Sequence, residues 1–385
     1  MQTRNEREIV ASGLRTWVEV SKAAIAENYN VFRRIIPQKT LLMGVVKSNA
    51  YGHGLWDYAL ELEKLGADWL AVDSIVEAVR LREKGITLPL LVLGYTLPER
   101  LDDAKRHRVS LAVSTFETLG MLRSGEDELA GLNIHLKVDT GMHRQGFLPR
   151  DVPAALSFIR SNLPRVSLEG IFTHFSSADE PDRPEVTLGQ IAEFEKVLLF
   201  VRSEGFRPIV HAANTAGALM YKAAHYDMVR IGKGLYGYFP SRALASRFNL
   251  DGKTELRPVL AWKTIVAEIK RLPEGGWVGY NQSESVPPGT VLAVLPVGYW
   301  HGYLRRVYSG VGRVKIRGKI AKVVGRVSMD MTSIDVTHNK GVQVGDEVEL
   351  IGREVDADAL AQMQETINYE ILTHINPLIE RIYVD

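Results

Sequence analysis

Short apolar segments alternate with helical segments between residues 41 and 232, and this alternation constrains the fold more than any other feature. Most of these segments are continuous apolar runs without polar alternation, as expected for strands buried on both faces. There are eight: LLMGVVK (41–47), DWLAV (68–72), PLLVLG (89–94), SLAVS (110–114), NIHLKVD (133–139), SLEGIF (167–172), RPIVHAA (207–213) and DMVRIG (227–232). Eight strand–helix units predict a parallel (β/α)8 barrel, with a doubly wound open sheet as the alternative.

The sequence changes character beyond the eighth segment. SRFNLDGKTELRP (246–258) is polar and ends in a proline, which predicts a linker. Short strand-like runs separated by Gly and Pro follow, with one helical patch near DALAQMQETI (358–367). We therefore expect a TIM-like (β/α)8 barrel in residues 1–250 and a mostly-β domain in residues 251–385. Residues 1–21, which include the strand-like TWVEVS, are candidates to pair with the second domain.

Composition excludes several classes of function. The 385 residues contain no cysteine, which excludes disulfides, thiolate nucleophiles, cysteine zinc sites and iron–sulfur clusters. The ten histidines form no H-E-x-x-H pair, so we expect no metal site. A net charge of +1 argues against nucleic acid as a partner. Because no signal-like start and no apolar run near the ~20 residues of a membrane span occurs, we expect a cytoplasmic protein that does not enter the membrane.

The first candidate site lies at the end of the first predicted barrel strand. Lys47 closes the apolar run in VVKSNAYGHG (45–54), and active sites of barrels lie at the C-terminal ends of the strands. A lysine there would have a partly desolvated ammonium group, which suits it to Schiff-base chemistry. The alternative is a lysine whose stem simply extends from the strand end to water. The polar residues and glycines that follow favour a ligand-binding loop.

Glycine-rich segments follow the seventh and eighth strands, HAANTAG (211–217) and MVRIGKGLYG (228–237). GKGLYG matches the dinucleotide pattern G-x-G-x-x-G, but it follows the eighth strand, and Pro240 interrupts the helix that this motif requires. The same glycines can present backbone N–H groups to a single phosphate, which barrels often bind after strands seven and eight. Together with a lysine after strand one, this arrangement is typical of pyridoxal phosphate. Ordinary tight turns are the alternative.

Two further loops carry polar side chains suited to a ligand. KVDTGMHRQGF (137–147), after the fifth strand, contains Arg144, whose guanidinium fork suits a substrate carboxylate. An exposed loop arginine without a ligand is equally consistent with that position. FTHFSSAD (172–179), after the sixth strand, contains His174, which could stack on a flat cofactor ring or be a hydrogen-bonded core histidine.

Taken in order, these motifs resemble those of the alanine racemases over about residues 14–385. The motifs are VVKSNAYGHG, KVDTGMHRQGF, THFSSAD, HAANTAG, VRIGKGLYG, WVGYNQ, GRVSMDM and TINYE. The resemblance implies pyridoxal phosphate as cofactor, alanine as substrate, and a homodimer with active sites composed of both subunits. It also implies two catalytic residues on opposite faces of the substrate Cα, because racemisation removes a proton from one face and returns one to the other. These are Lys47, which carries the cofactor, and Tyr280 of the other subunit.

The same resemblance assigns the remaining contacts. Those to the cofactor come from Tyr51, His174, Asn214, Thr215, Arg230, Gly232, Lys233 and Tyr369, and those to the substrate carboxylate from Arg144 and Met329. Arg230 would face the pyridine nitrogen, where a permanent cation keeps that nitrogen unprotonated and weakens the ring as an electron sink. Lys137 matches a lysine that is carbamylated in some relatives. Tyr299 and Tyr369 would narrow the substrate entrance.

The sequence departs from the family pattern near the substrate site. Ser328 stands where many relatives have cysteine, and the pattern GYxDG reads GYWHG (298–302). None of these departures removes a catalytic group, but all lie near the substrate site. The sequence therefore determines the type of reaction better than the range of substrates. A decarboxylase of basic amino acids is the rival within the same fold, but Arg230 and the absence of cysteine argue against it. A second alternative, a non-catalytic cofactor carrier, would leave the C-terminal domain unexplained. A third, an oxidoreductase, is supported only by the GKGLYG motif.

Overall fold

The computed structural model describes residues 13–125, 127–251, 255–307 and 311–385. The chain divides into two compact units. The barrel unit comprises Ala24–Ala50 and Leu55–Arg257, and the β unit comprises Met1–Ala23, Tyr51–Gly54 and Pro258–Asp385. In the part of the chain that the structure describes, no helix has the length and apolar character needed to cross a membrane.

The predicted barrel is confirmed. After β1 (Thr16–Ser21), which belongs to the β unit, eight parallel strands close a barrel in chain order, and the last pairs with the first. These strands are β2 (Leu41–Val45), β3 (Trp69–Val72), β4 (Leu90–Val92), β5 (Val109–Val113), β6 (Asn133–Lys137), β7 (Ser167–Phe172), β8 (Ile209–His211) and β9 (Met228–Ile231). Each lies within one of the eight apolar runs or overlaps it, so the open-sheet alternative is wrong. Every residue of β3 and β4 is buried, which explains the unbroken apolar runs.

Helices surround the strands of the barrel unit. They are α1 (Lys22–Ile35), α2 (Leu55–Lys64), α3 (Ile75–Glu83), α4 (Leu101–Arg106), α5 (Phe116–Ser124), α6 (Val152–Asn162), α7 (Pro184–Ser203), α8 (Thr215–Met220) and α9 (Arg242–Asp251). In α7, Phe194 and Leu198 share a face at a spacing of four residues and are buried. Helix α9 corrects the sequence prediction, because it extends into the segment interpreted as a polar linker. Its Leu244, which precedes that segment, is fully buried, and the Phe248 ring stacks on Phe239 with ring centroids 6.0 Å apart.

The β unit contains the predicted mostly-β domain. Its nine-stranded sheet has the order β11-β14-β17-β16-β15-β18-β10-β1-β19, and β12 and β13 form a separate hairpin. The strands are β10 (Leu260–Ile265), β11 (Glu268–Leu272), β12 (Gly276–Val278), β13 (Glu284–Val286), β14 (Thr290–Leu295), β15 (Arg313–Ile316), β16 (Lys319–Val324), β17 (Thr332–Asp335), β18 (Glu347–Ile351) and β19 (Arg381–Val384). Two short helices, α10 (Ala357–Met363) and α11 (Asn368–Thr373), complete it. The N-terminal strand β1 lies between β10 and β19, antiparallel to the former and parallel to the latter.

Candidate active site

Lys47 lies two residues beyond the end of β2, at the C-terminal end of the barrel strands. Its Nζ is 3.4 Å from Oδ1 of Asp73, which follows the neighbouring strand β3. The lysine side chain is 37% exposed, so it remains partly in contact with water. The structure thus pairs the predicted lysine with a carboxylate that sequence reasoning had not singled out.

The residues after Lys47 form a left-handed turn. Ser48, Asn49, Ala50 and Tyr51 have φ values of 56°, 56°, 50° and 51°, a region that L-residues other than glycine rarely occupy. The Ala50 N–H donates to the Val46 carbonyl oxygen at 2.8 Å, and the Asn49 side chain accepts the Leu55 N–H at 2.9 Å. The chain therefore changes helical hand immediately after Lys47. No residue pattern in the sequence indicated this.

Arg230 lies on β9 and is buried. Its guanidinium donates to the carbonyl oxygens of Thr173 and Ala212 at 2.7 and 2.9 Å, and to Nδ1 of His211 at 2.9 Å. Burial lowers the pKa of Arg230 to about 9, which still leaves it positively charged at neutral pH. A fixed, permanent cation thus lies at the end of the eighth barrel strand.

A chain of hydrogen bonds continues from Arg230 through the barrel interior. Because Arg230 has only donors, His211 accepts at Nδ1 and carries its proton on Nε2, 2.9 Å from Nδ1 of His135. By the same logic the Nε2–H of His135 donates to Glu169 at 3.1 Å. Burial would raise the pKa of Glu169, but the hydrogen bonds from His135 and Ser110 outweigh it and lower that pKa. Each group in this series therefore donates to the next one, from the Arg230 guanidinium to the Glu169 carboxylate.

The side chains that form this series of hydrogen bonds are tightly packed. The Phe172 ring stacks on His211 with centroids 4.8 Å apart, and the Arg230 guanidinium lies 5.2 Å from the same ring. A Cβ on Gly170 would lie only 2.1 Å from Nδ1 of His135. Any side chain at that glycine would therefore displace the imidazole and break the chain of hydrogen bonds.

His174 follows β7 and faces the cations of the barrel end. Its Nδ1 is 3.3 Å from the Arg230 guanidinium, and its carbonyl oxygen accepts from Gln190 at 3.2 Å. Burial, and then the positive charges of Arg230, Arg144, Lys137 and Lys47, hold the pKa of His174 well below its usual range. The imidazole is therefore neutral at neutral pH and, since it accepts at Nδ1, keeps its proton on Nε2.

We expect the stability of the protein to fall as the pH drops below about 6.5, the ordinary pKa of histidine. Burial and the charge of Arg230 keep His211 and His174 neutral in the folded state, whereas both titrate normally once unfolded. Below that pH the unfolded chain binds more protons, so each contributes a loss of up to about 1.4 kcal/mol per pH unit. Urea unfolding at pH 7, 6 and 5 measures this slope.

The matched variants for this measurement are His211→Gln and His338→Gln. The first removes a titrating group from the buried chain and should flatten the pH dependence. The second changes an exposed histidine and should leave the slope as it is. Equal slopes in all three proteins would contradict the assignment of His211 as a neutral, buried group.

The predicted phosphate loops meet at Thr215, the first residue of α8. Its Oγ1 accepts the N–H groups of Gly232 and Gly234 at 3.2 and 3.4 Å. Asn214 caps the same helix by accepting the Gly217 N–H at 2.9 Å. The hydroxyl proton of Thr215 is not used by these bonds. The side chain of Lys233, in contrast, is directed to the Pro240 carbonyl oxygen at 3.3 Å.

The loop after β6 is shaped by one carboxylate. Burial alone would raise the pKa of Asp139, but the backbone N–H groups of His143, Gly141 and Met142 donate to it and lower that pKa. Arg144, which follows His143 in the sequence, is exposed. Lys137, at the end of β6, donates to Oε1 of Gln145 at 3.1 Å, and burial together with Arg144 lowers its pKa to about 8.

The other predicted site residues belong to the β unit. Tyr280 opens the turn between β12 and β13 and is 64% exposed, and Met329 is also exposed. The rings of Tyr51 and Tyr369 lie with centroids 5.6 Å apart. Tyr299 begins a short turn whose N–H donates to the Ser328 carbonyl oxygen at 3.1 Å. A Cβ on Gly298 would lie 2.2 Å from that carbonyl oxygen, so glycine is required for this close approach.

Sequence reasoning missed five polar residues that organise the end and the interior of the barrel, namely Asp73, Glu77, His135, Glu169 and His211. For His135 and Glu169 a signal was present, because each lies within a strand that the sequence predicted to be buried, and buried polar groups need hydrogen-bond partners. Asp73 and Glu77 gave no such signal, since a carboxylate just after a strand or in the first helical turn is common on protein surfaces.

The fold and the site together define a class: a TIM-barrel enzyme with an added β domain, which carries lysine, arginine and histidine side chains at the ends of its barrel strands. Comparison with known protein families identifies the family within this class. Residues 20–240 match the alanine racemase N-terminal domain, and residues 259–383 match the alanine racemase C-terminal domain. The chain belongs to the alanine racemase family, a family of isomerases, and the resemblance found in the sequence is confirmed.

Individual relatives match over nearly the whole chain. Alanine racemase of Symbiobacterium thermophilum is 40% identical over 375 residues, which cover 96% of this chain and 97% of the relative. The solved structure of Clostridium difficile 630 alanine racemase has a TM-score of 0.90 at 33% identity and covers 96% of both chains. Alanine racemase of Bacillus anthracis, solved with bound L-Ala-P, has a TM-score of 0.90 at 33% identity over 96% of this chain and 95% of that one.

Proposed function

We propose that the chain interconverts L-alanine and D-alanine with pyridoxal phosphate as its cofactor. The observation that carries the proposal is a set of four cationic side chains at the C-terminal ends of the barrel strands: Lys47 after β2, Lys137 at the end of β6, Arg144 in the loop after β6, and Arg230 on β9. Four positive charges at one end of a barrel favour a ligand with several negative charges. A cofactor phosphate and an amino-acid carboxylate, bound together, have that character.

The side chains of the barrel end fit this cofactor chemically. Lys47 offers an amine for its aldehyde, Thr215 a hydroxyl proton for its phosphate, and Arg230 a donor for its pyridine nitrogen. The Lys47 amine would condense with the aldehyde and release water, whereas Thr215 and Arg230 would donate hydrogen bonds to acceptor atoms of the cofactor. We assign further cofactor contacts to Tyr51, His174, Asn214, Gly232, Lys233 and Tyr369. When bound, pyridoxal phosphate withdraws electrons from the attached amino acid and so acidifies its Cα–H bond.

Arg230 determines how strongly those electrons are withdrawn. Its guanidinium is charged, buried and held by two carbonyl oxygens and His211, so it cannot turn away from a group placed against it. A cation facing the pyridine nitrogen disfavours protonation of that nitrogen. The weaker electron withdrawal limits side reactions such as transamination, which suits a racemase better than a decarboxylase.

Lys47 and Tyr280 are the two groups that we assign to proton transfer. In one direction of the reaction, one of these groups removes the proton from its face of Cα and the other, contributed by the second subunit in the case of Tyr280, donates a proton to the opposite face; in the reverse direction the two roles are exchanged. His174 supports this transfer, because its Nε2 proton is available as a hydrogen-bond donor while Nδ1 is fixed by Arg230. We assign the substrate carboxylate to the Arg144 guanidinium and the backbone of Met329.

We propose that two copies of the chain form a homodimer. Besides Tyr280, the β unit exposes more than half of several large apolar side chains: Trp277, Trp300, Met329 and Met331. Exposed apolar side chains of this size and number are typical of a surface that another protein covers. A second copy would bring Tyr280 and Met329 of one subunit to the barrel of the other.

We expect purified protein, incubated with L-alanine and pyridoxal phosphate in deuterated water, to form D-alanine that carries deuterium at Cα. The solvent isotope enters because the proton returned to Cα comes from a group that exchanges with water. Chiral chromatography coupled to mass spectrometry measures both product and label. If neither D-alanine nor labelled alanine forms, the proposed function is wrong.

A further inference from the structure

We propose that Glu77 is a positioning residue, whose carboxylate stabilises the left-handed turn after Lys47 and thereby fixes the direction of the lysine side chain. The proposal rests on the proposed function in one respect, because it takes Lys47 as the residue that carries the cofactor. It concerns a residue of α3 that is itself neither a proposed cofactor contact nor a proposed substrate contact.

The turn Ser48–Tyr51 needs an external restraint. Four consecutive residues have left-handed φ angles near 50°, and none of them is glycine. In this conformation Cβ approaches the following carbonyl oxygen, so L-residues avoid it, and single polar residues are its usual occupants. Ala50, with no polar side chain, has ψ 53° and is fully buried within the turn. A strained segment of this length persists only where its surroundings hold it.

The carboxylate of Glu77 supplies such a restraint from the neighbouring strand–helix unit. Its Oε1 accepts the N–H groups of Ser48 and Asn49 at 2.6 and 3.4 Å. Its Oε2 accepts the N–H groups of Asp73 and Ser74 at 2.9 and 3.3 Å. Successive backbone N–H groups in a turn form a concave set of donors that an anion fits. One carboxylate therefore ties the loop after β2 to the loop after β3.

This tie acts on both members of the Lys47–Asp73 pair. Lys47 immediately precedes Ser48, and the backbone N–H of Asp73 is itself bound by Glu77. The two side chains that meet at 3.4 Å thus start from backbone segments fixed by the same carboxylate. Loss of the tie would leave the direction of the Lys47 side chain less defined relative to any group it must reach.

Helix capping alone does not account for these contacts. Glu77 is the third residue of α3 and forms a capping box with Ser74, whose side chain accepts the Glu77 N–H at 3.3 Å. Of the Glu77 carboxylate, a capping box requires only that it accept the Ser74 N–H. The bonds to Ser48, Asn49 and Asp73 reach beyond the helix that is capped.

The test is Glu77→Gln in the cofactor-loaded protein. Glutamine keeps the shape but places an NH₂ donor against backbone donors, so one end of the tie is lost. We expect kcat to fall about 10-fold or more with a smaller change in KM, since misplacing a reacting group by an ångström can cost ~100-fold. We also expect hydrogen exchange at the Ser48 and Asn49 amides to accelerate about 10-fold, because their hydrogen bonds to Oε1 are weakened.

Three matched variants separate positioning from helix stability. Ser74→Ala removes the other half of the capping box, and Glu83→Gln removes the same charge from the exposed end of α3. Neither should change kcat or the exchange of the two amides. Ser48→Gly combined with Glu77→Gln should recover part of the lost kcat, because glycine adopts left-handed φ angles without steric cost.

If Glu77→Gln does not fold, Glu77→Asp gives the same test, because the shorter side chain keeps the charge but cannot reach both loops. The proposal is overturned if the variant that folds has the kcat and the amide exchange of the Ser74→Ala protein. A wild-type protein without racemase activity would instead overturn the proposed function, and the exchange measurement would still decide whether Glu77 holds the turn.

Discussion

Replacing Lys47 by alanine is expected to lower kcat/KM for alanine at least about 10⁴-fold, because the variant loses both a covalent anchor and a base for Cα. It should also lose pyridoxal phosphate on dialysis, together with the visible absorbance of the lysine-linked cofactor. Chiral chromatography measures the activity, and the absorption spectrum of the dialysed protein measures retention. The protein should still fold, since the Lys47 side chain is partly exposed and its ion pair with Asp73 is solvated.

Lys39→Ala is the matched control for this variant. Lys39 is exposed and precedes β2, whereas Lys47 follows it, so the two lysines flank opposite ends of one barrel strand. The control should keep wild-type activity and colour. Borohydride reduction of the wild-type protein followed by peptide mapping should place the cofactor on the Lys47 peptide. Reduction that labels a different lysine would show that Lys47 is not the anchor.

The barrel could be predicted because its strands are buried on both faces, and such strands are readable as short, unbroken apolar runs. The same argument fails for helix α9, where a mostly polar sequence packs through the buried Leu244 and through the Phe248 ring, which stacks on Phe239. It fails also for β19 and α11 near the C-terminus. There, the partners that bury each element are distant in sequence, so no local period reveals them.

The candidate site was predictable where chemistry follows from a residue's place on a strand. Lys47 and His174 follow barrel strands, and active sites of barrels lie at the ends of the strands, so their positions pointed to them. Arg230 was assigned by the family resemblance. The restraints on these residues were not predictable. The hydrogen bonds of Glu77 to Ser48 depend on a left-handed backbone, which ordinary residues adopt only when tertiary contacts require it.

Replacing Tyr280 by phenylalanine should lower racemisation about 10²- to 10⁴-fold, the usual contribution of one positioned acid–base group. Phenylalanine keeps the ring and removes only the phenolic hydroxyl group. A loss of racemase activity would therefore indicate a role in proton transfer and not in packing. Tyr280 is 64% exposed within its own chain, and the variant should fold and keep its cofactor absorbance. Tyr95→Phe, at an exposed tyrosine of the barrel unit, is the control and should keep full activity.

Mixing this variant with Lys47→Ala tests whether Tyr280 acts across the proposed dimer. If each site combines Lys47 of one subunit with Tyr280 of the other, a heterodimer has one site with both groups and one with neither. Random reassociation gives heterodimers in half of the dimers, so about 25% of the wild-type activity should return from two nearly inactive proteins. Differently tagged chains, refolded together and purified through both tags, allow the heterodimer itself to be assayed. A doubly tagged dimer that stays inactive would place both residues in the site of a single chain, because then no mixed dimer can contain an intact pair.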